Sequence, residues 1–196
     1  MFARVSNIET FRRWRQDEDQ GVEDLIARLT TFEPNEAMLA GTAFHKALEL
    51  AQPGSYDRLT ANGYTFILPD AELALPEIRE LRASAEYGPL TVTGKFDAMH
   101  GKRIEDHKTT AQFKPDGYFE GCQWRFYLDI FGADVFRWNV FVIRPVADKT
   151  YEVDTPQILE QCRYPGLHDD CERLAADFYD FAARYMPDYQ PALEAA

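Results

Sequence analysis

Residues 90–109, LTVTGKFDAMHGKRIEDHKT, alternate apolar and polar side chains on either side of a Gly-Lys pair. Leu90, Val92, Phe96 and Ala98 fall on one face, and Thr91, Thr93, Lys95 and Asp97 on the other, which is the period of a half-buried strand. Arg103 to Thr109 reads as a second strand. A two-residue turn at Gly101-Lys102, with glycine first, pairs residue 100 with 103 and 97 with 106. Asp97 then faces Asp106, Lys108 shares that face, and Glu105 and His107 turn to the other. The same register sets Lys95 opposite Lys108, a like-charge pair that an anion such as phosphate would relieve.

Working outward, residues 7–30 predict one or two polar helices carrying Arg12, Arg13 and Arg15 and then Asp17, Glu18 and Asp19. Pro34-Asn35 starts a helix over 35–52 with Ala37, Gly41, Phe44, Leu48 and Ala51 as its apolar stripe, ending before Pro53-Gly54. Residues 64–68 predict a short strand, and 71–86 a helix with Leu73, Leu75, Ile78 and Leu81 on one side. Downstream come a single helix over 115–132 with Phe119, Cys122, Phe126 and Ile130 buried, a strand over 136–146, and a polar strand over 149–154 near a sheet edge. A covering helix over 167–186 follows, with Leu167, Cys171, Leu174, Phe178, Phe181 and Tyr185 on one stripe. Helices before, within and after a strand cluster indicate an α/β fold with a central mixed β-sheet flanked by helices.

The chain has 196 residues, which predicts one domain over 1–196 that buries roughly 70 % of its unfolded surface. With 45 % hydrophobic and 28 % charged residues the composition is that of a folded chain and excludes disordered, collagenous and disulfide-scaffold classes. Thirty-three acidic against twenty-one basic side chains leave a net charge of -12, which by itself argues against nucleic acid. The sequence shows neither a long apolar run nor a secretory signal, and predicts a cytoplasmic protein with no membrane partner. Three cysteines, Cys122, Cys162 and Cys171, are never spaced as CxxC, so no disulfide framework and no four-cysteine cluster is expected.

Two carboxylates facing each other repel in a low-dielectric site, and a divalent cation removes the conflict. Oxygen ligands favour Mg²⁺ or Mn²⁺, and a lysine two residues from a ligand can orient an attacking water and stabilise an anionic transition state. A D-x-K triplet alone is common on ion-paired hairpins, so the neighbouring patterns matter. His45 and Glu49 stand four apart on the 35–52 helix, and Gln123 and Tyr127 repeat that spacing on the 115–132 helix.

In order, GTAFHKALE (41–49), GKFD (94–97), EDHKTT (105–110) and QWRFY (123–127) resemble the nuclease domain of the PD-(D/E)xK superfamily, specifically its RecB-like and phage-type exonuclease branch. The resemblance covers about residues 41–127 and implies a restriction-endonuclease-like core over about 35–146. It implies that Asp97 and Asp106 are metal-ligating and catalytic carboxylates, that His45 and the backbone carbonyl of His107 complete a site for one or two Mg²⁺ or Mn²⁺ ions, and that Lys108 aligns or activates the attacking water. Gln123 and Tyr127 would orient the lysine and the scissile phosphate, with Glu49 and Thr109 as further candidates. Some members carry four cysteines for an iron–sulfur cluster, which this chain lacks in number and position.

The implied activity is metal-dependent exonucleolytic hydrolysis of DNA in phage or bacterial recombination or repair. A phage-encoded enzyme would act in the bacterial host cytoplasm. A single-strand annealing or recombination partner protein and a homo-oligomer are the expected assemblies. A same-fold endonuclease or RNA-directed nuclease is the first alternative, and an acidic DNA-mimic inhibitor or inactive binding module the alternative of another class. Arg12, Arg13, Arg15, Lys46, Lys95, Lys102, Arg103, Lys114 and Arg125 are the cations from which a nucleic-acid path could be assembled. With acidic residues bound to cations, the net charge predicts weak, salt-sensitive binding rather than none. Both Asp106 and Lys108 are expected on a polar face, where their removal would spare the fold.

Overall fold

A computed structural model describes residues 1–31, 33–52, 54–73 and 78–190, with the side chains of residues 55 and 70–73 left aside. The chain runs β1 (Phe2–Arg4), α1 (Val5–Trp14), α2 (Val22–Thr30), α3 (Glu36–Leu50), β2 (Gly54–Ala61), β3 (Tyr64–Leu73), β4 (Ile78–Tyr87), β5 (Leu90–His100) and β6 (Arg103–Thr110). It continues through α4 (Asp116–Glu120), α5 (Gln123–Ile130), β7 (Val135–Ala147), β8 (Thr150–Val153), β9 (Gln157–Cys162) and α6 (Leu167–Tyr185). Among the described residues the strands form one mixed sheet with the path β1-β5-β6-β7-β8-β3-β2, β4 joining β5 and β9 joining β7.

The β5–β6 turn forms as its sequence dictates: Gly101 takes the left-handed conformation, φ 55°, and His100 pairs with Arg103. The paired ladder reaches only Ala98↔Glu105. β4 runs antiparallel along one edge of β5 from Leu90 to Met99, and the other edge is shared by β1, parallel at Thr91–Thr93, and by β6. Residues 94–97 therefore have no strand on that edge among the described residues, and β5 and β6 part there as a fork. β6 keeps its order on its far side, paired in parallel with β7 from Arg103↔Val135 to Thr110↔Val142.

Two apolar clusters hold the sheet. The larger gathers Ile8 and Phe11 of α1, Leu25 and Leu29 of α2, Phe126 and Leu128 of α5, and Phe178 of α6 against Val92, Phe96, Ile104 and Phe136. The smaller packs Ala40, Ala43, Phe44 and Ala47 of α3 on Leu59, Phe66 and Ile143, with the Phe44 ring edge-on to Phe66 and Phe141. The α3 helix starts at an Asn35 cap whose side chain accepts the Met38 N–H at 3.0 Å. Its buried stripe lies one residue round from the expected one, with Ala37 exposed and Ala40 and Ala43 buried.

Several expectations are corrected. The helix expected over 71–86 is not formed: 71–73 end β3, 78–86 lie in β4, and Leu75 and Pro76 lie outside the described residues. Arg, Glu, Leu and Ala in 78–86 favour helix locally, but the exposed edge of β5 offers a full ladder of hydrogen bonds, and pairing overrides propensity. The strand over 149–154 is no edge, because β8 lies between β7 and β3. β1, β2 and β9 are strands that the sequence pattern does not announce.

The helix expected over 115–132 is two, broken at Gly121. The cause is Glu9 of α1, whose Oε2 accepts the Cys122 N–H at 2.7 Å and so caps α5 from another helix. Arg12 and Arg13 close on the same carboxylate, with Arg13 Nε to Oε1 at 2.7 Å. Burial works to raise the Glu9 pKa, but the arginines and the Cys122 amide outweigh it and pull the group from 4.5 down to about 2.

A folded-state pKa below the unfolded one contributes stability that is fully present above pH 4.5 and lost as pH falls toward 2. The contribution is on the order of 3 kcal/mol. Denaturant unfolding measured from pH 6 to pH 2.5 is expected to show this acid-sensitive component in the wild type and not in Glu9→Gln.

Candidate active site

The fork between β5 and β6 collects the charged residues that the sequence singled out. Asp97 stands at its mouth, where its Oδ2 accepts the His107 backbone N–H at 2.7 Å in place of a strand-to-strand bond. His45, projecting from α3, brings Nδ1 to 3.5 Å from Asp97 Oδ1. Asp106 is 3 % exposed, and Lys108 reaches back to it with Nζ at 2.9 Å from Oδ1 and 2.7 Å from Oδ2. The second contact lacks hydrogen-bond direction, so Asp106 Oδ2 is a buried oxygen with no donor.

Burial and the neighbouring Asp97 drive the Asp106 pKa up against the pull of Lys108. Burial also opposes ionisation of Asp97, but the His45 contact and the Lys108 charge win and hold it well below the usual carboxylate range. Lys108 loses solvation yet is pushed above its ordinary value by Asp106 and then Asp97. The ground state is thus an ion pair set beside a second carboxylate. His107 is driven down by burial, which keeps its ring neutral, and Asn139 Nδ2 lies 3.3 Å from its Nδ1 while donating to Glu105 at 2.9 Å.

Tyr127 and Gln123 line the fork from α5. Tyr127 OH donates to the Lys95 carbonyl at 2.8 Å, on the open edge of β5, and Gln123 Nε2 donates to Tyr127 OH at 3.3 Å. Burial pushes the Tyr127 hydroxyl up to about 12, so it stays a donor. A side chain at position 94 would put Cβ 2.5 Å from the Tyr127 ring, so the G-x-x-D glycine is the space in which that ring lies. Gly41 serves the same purpose at α3: a Cβ there would lie 2.9 Å from Thr109 Oγ1, so its absence lets the helix bearing His45 approach β6.

The structure brings His45, Asp97, Asp106, His107, Lys108, Gln123 and Tyr127 together. Glu49 turns aside to Lys46 at 2.8 Å, and Thr109 packs against Gly41. Asp97 and Asp106 are not partners across a ladder, because pairing has ended one step earlier. Lys95 does not oppose Lys108 but pairs with Glu80 at 2.7 Å, and no bridging anion is called for. Nor do Asp106 and Lys108 sit on an open polar face: Asp106 is buried and the half-buried Lys108 is its countercharge, so removing one partner has a structural cost. Of the expected cations, Arg15, Lys46, Lys102 and Arg103 are engaged with Asp177, Glu49, Asp134 and Glu105 respectively.

Sequence reasoning missed Glu9, which positions α5, and Arg79, which donates to the carbonyls of Glu49 and Ala51 at the end of α3. It also missed Glu80, a non-glycine residue at φ 43° beside Asp97 on the neighbouring strand. No local pattern marks any of them.

Two carboxylates, a histidine and the His107 carbonyl are the donor types that Mg²⁺ or Mn²⁺ accepts, and the orphaned Asp106 oxygen is a place that a cation would satisfy. Among the described residues no group of three or more His, Cys, Asp or Glu side chains stands together as a set that could hold a metal ion, so the side chains alone do not make a complete site.

No protein-family model and no curated protein sequence matches the chain. Solved structures do share its architecture. The protein SSO0001 is 15 % identical with a TM-score of 0.51 over 98 % of this chain and 79 % of that one. A candidate exonuclease from Eubacterium rectale is 13 % identical with a TM-score of 0.52, over 96 % and 83 %. LHK-Exo in complex with dAMP is 11 % identical with a TM-score of 0.46, over 93 % and 88 %. For the first two the likeness is one of fold, a mixed sheet flanked by helices. Among the described residues no helix is long and apolar enough to cross a membrane.

Lys108→Ala leaves the Asp106 carboxylate buried without its countercharge and is expected to lower stability by about 3 kcal/mol. Adding Asp106→Asn removes the stranded charge and should restore most of the loss, as read by denaturant unfolding of the single and double variants. A neutral Lys108→Ala would contradict the buried ion pair.

Proposed function

We propose that the chain is a metal-dependent nuclease, an exonuclease that hydrolyses DNA phosphodiester bonds in phage or bacterial recombination or repair. The observation that carries this reading is the fork itself: two carboxylates and a lysine, with one buried carboxylate oxygen lacking a donor, held by strands that have parted. The PD-(D/E)xK-like order of motifs supports it, and so does the fold shared with the candidate exonuclease from Eubacterium rectale.

Asp97, Asp106, His45 and the His107 carbonyl would hold one or two Mg²⁺ or Mn²⁺ ions. Such a cation supplies Lewis-acid stabilisation of the charge that develops on the phosphate. Lys108, released from part of its hold on Asp106, would stand with its ammonium toward the attacking water and the phosphate oxygens. Tyr127 and Gln123 fix the fork and leave the Gln123 amide facing the same space. Asp97 keeps its charge across the neutral range, whereas Asp106 depends on its cationic neighbours to do so.

Purified protein with Mg²⁺ or Mn²⁺ is expected to degrade end-labelled linear DNA and to stop on addition of EDTA. Asp97→Asn, Asp106→Asn and Lys108→Ala should each lower the rate by about a thousandfold or more. Asp97→Asn, which keeps shape and leaves the Asp106–Lys108 pair intact, separates catalysis from folding. Cutting of closed circles would make this a same-fold endonuclease. Metal-independent turnover, or wild-type rates in all three folded variants, would remove the reading.

A further inference from the structure

We infer that the imidazole of His107, and not only its backbone carbonyl, meets the substrate: its Nε2–H is a fixed hydrogen-bond donor to a phosphate oxygen of the strand held at the fork. The identity of that ligand rests on the nuclease reading. The donor is one that neither the D-x-K pattern nor the shared fold assigns, since His107 stands at the unspecified middle position.

The ring is oriented from behind by a chain of directed hydrogen bonds. β6 lies between β7 and β5, and on the face of β6 turned to α3 the His107 ring stands edge-on to His45 at 6.3 Å and to Phe141 at 6.0 Å. Its Nδ1 points to β7, 3.3 Å from Asn139 Nδ2. An amide nitrogen carries hydrogens and accepts none, so Nδ1 is the acceptor and the ring proton is on Nε2. Turning the Asn139 amide over is opposed by Glu105. The same Nδ2 donates to Glu105 Oε2 at 2.9 Å, and an amide oxygen in its place would face a carboxylate. Glu105 is fixed in turn, its Oε1 accepting from Arg103 Nε at 3.0 Å and Nη2 at 2.8 Å. Glu105 and Asn139 are both buried, so breaking the chain would strand polar groups away from water. Asn139 and Glu105 are thus positioning residues, and the tautomer of His107 is what they set.

The proton so placed has no acceptor among the described residues, and the half-buried ring leaves Nε2 open to solvent. The two ring nitrogens lie on opposite edges, so Nε2 turns away from β7, toward the side on which β5 parts from β6. Asp97 stands there with its oxygens already facing the His107 amide and the His45 ring. A nitrogen that carries the proton has no lone pair for a metal ion, so the ring offers this space a donor and not a ligand. A phosphodiester brings charged acceptor oxygens, and a neutral N–H gives them direction beside the charge of Lys108.

The test has two parts, neither of which requires turnover. Two-bond ¹H–¹⁵N correlation spectra of protein with ¹⁵N-labelled histidine report the tautomer, the His107 signals being those lost in His107→Gln. The wild type is expected to carry its proton on Nε2, and Asn139→Leu to show a mixture of tautomers. Binding of a short single-stranded DNA is then followed by fluorescence anisotropy in EDTA at low salt. His107→Phe, which keeps the ring shape and the backbone, should weaken it by about tenfold. His107→Gln, which returns an N–H near the place of Nε2, should recover most of the loss. The salt dependence of binding should be the same in wild type and His107→Phe, because a neutral donor releases no counterion.

A wild-type ring protonated on Nδ1, no wild-type binding, wild-type affinity in His107→Phe, or no recovery in His107→Gln overturns the inference, whether or not the protein cleaves DNA. The expected tautomer and affinities without metal-dependent cleavage above the Lys108→Ala background leave the donor standing and remove the nuclease reading.

Discussion

The parting of β5 from β6 after Ala98↔Glu105 is the constraint on which the site depends. A continued ladder would satisfy the backbone of residues 94–97 and 106–108 strand to strand and leave no room between them. Because the strands diverge, those groups find other partners: the Asp97 carboxylate for the His107 amide and the Tyr127 hydroxyl for the Lys95 carbonyl. Every such substitute brings a side chain into the fork. The polar groups of the site are thus the same ones that make the opening tolerable, since buried backbone groups must be paired.

Holding the fork open takes helices from both sides. α3 approaches closely enough to present His45 because Gly41 leaves space for Thr109, and α5 lays Tyr127 into the space left by Gly94. α5 in turn starts where it does because Glu9 receives the Cys122 amide. The N-terminal helix, far from the fork in sequence, therefore fixes the register of Gln123 and Tyr127. A carboxylate bound by two guanidinium groups and an amide is stiff, and that stiffness passes to the helix it caps.

The electrostatics of the fork are set by its immediate neighbours rather than by net charge. The chain as a whole carries -12, yet Asp106 has Lys108 for a countercharge and Asp97 holds the His107 amide with the His45 ring 3.5 Å away. The cations expected to form a broad basic path are largely spent in local pairs. Arg12 and Arg13 are themselves closed on the Glu9 carboxylate. Strand pairing rather than composition decides which charges reach the site.

The order of motifs marked the candidate site residues from His45 to Tyr127, and the sequence by itself determined the β5–β6 turn, its register at His100↔Arg103 and the mixed sheet with flanking helices. Those features follow from period-two alternation, a glycine at positive φ and helical spacing, all of which act between near neighbours. The tertiary structure alone decided that residues 78–87 are a strand, that the ladder stops short of Asp97, and that α5 begins only after Cys122. Each of these depends on a partner distant in the chain: an unpaired edge of β5, a tyrosine ring over Gly94, or a carboxylate on α1. Their strength comes from satisfying buried hydrogen-bonding groups, and which groups become buried is settled only when the elements pack.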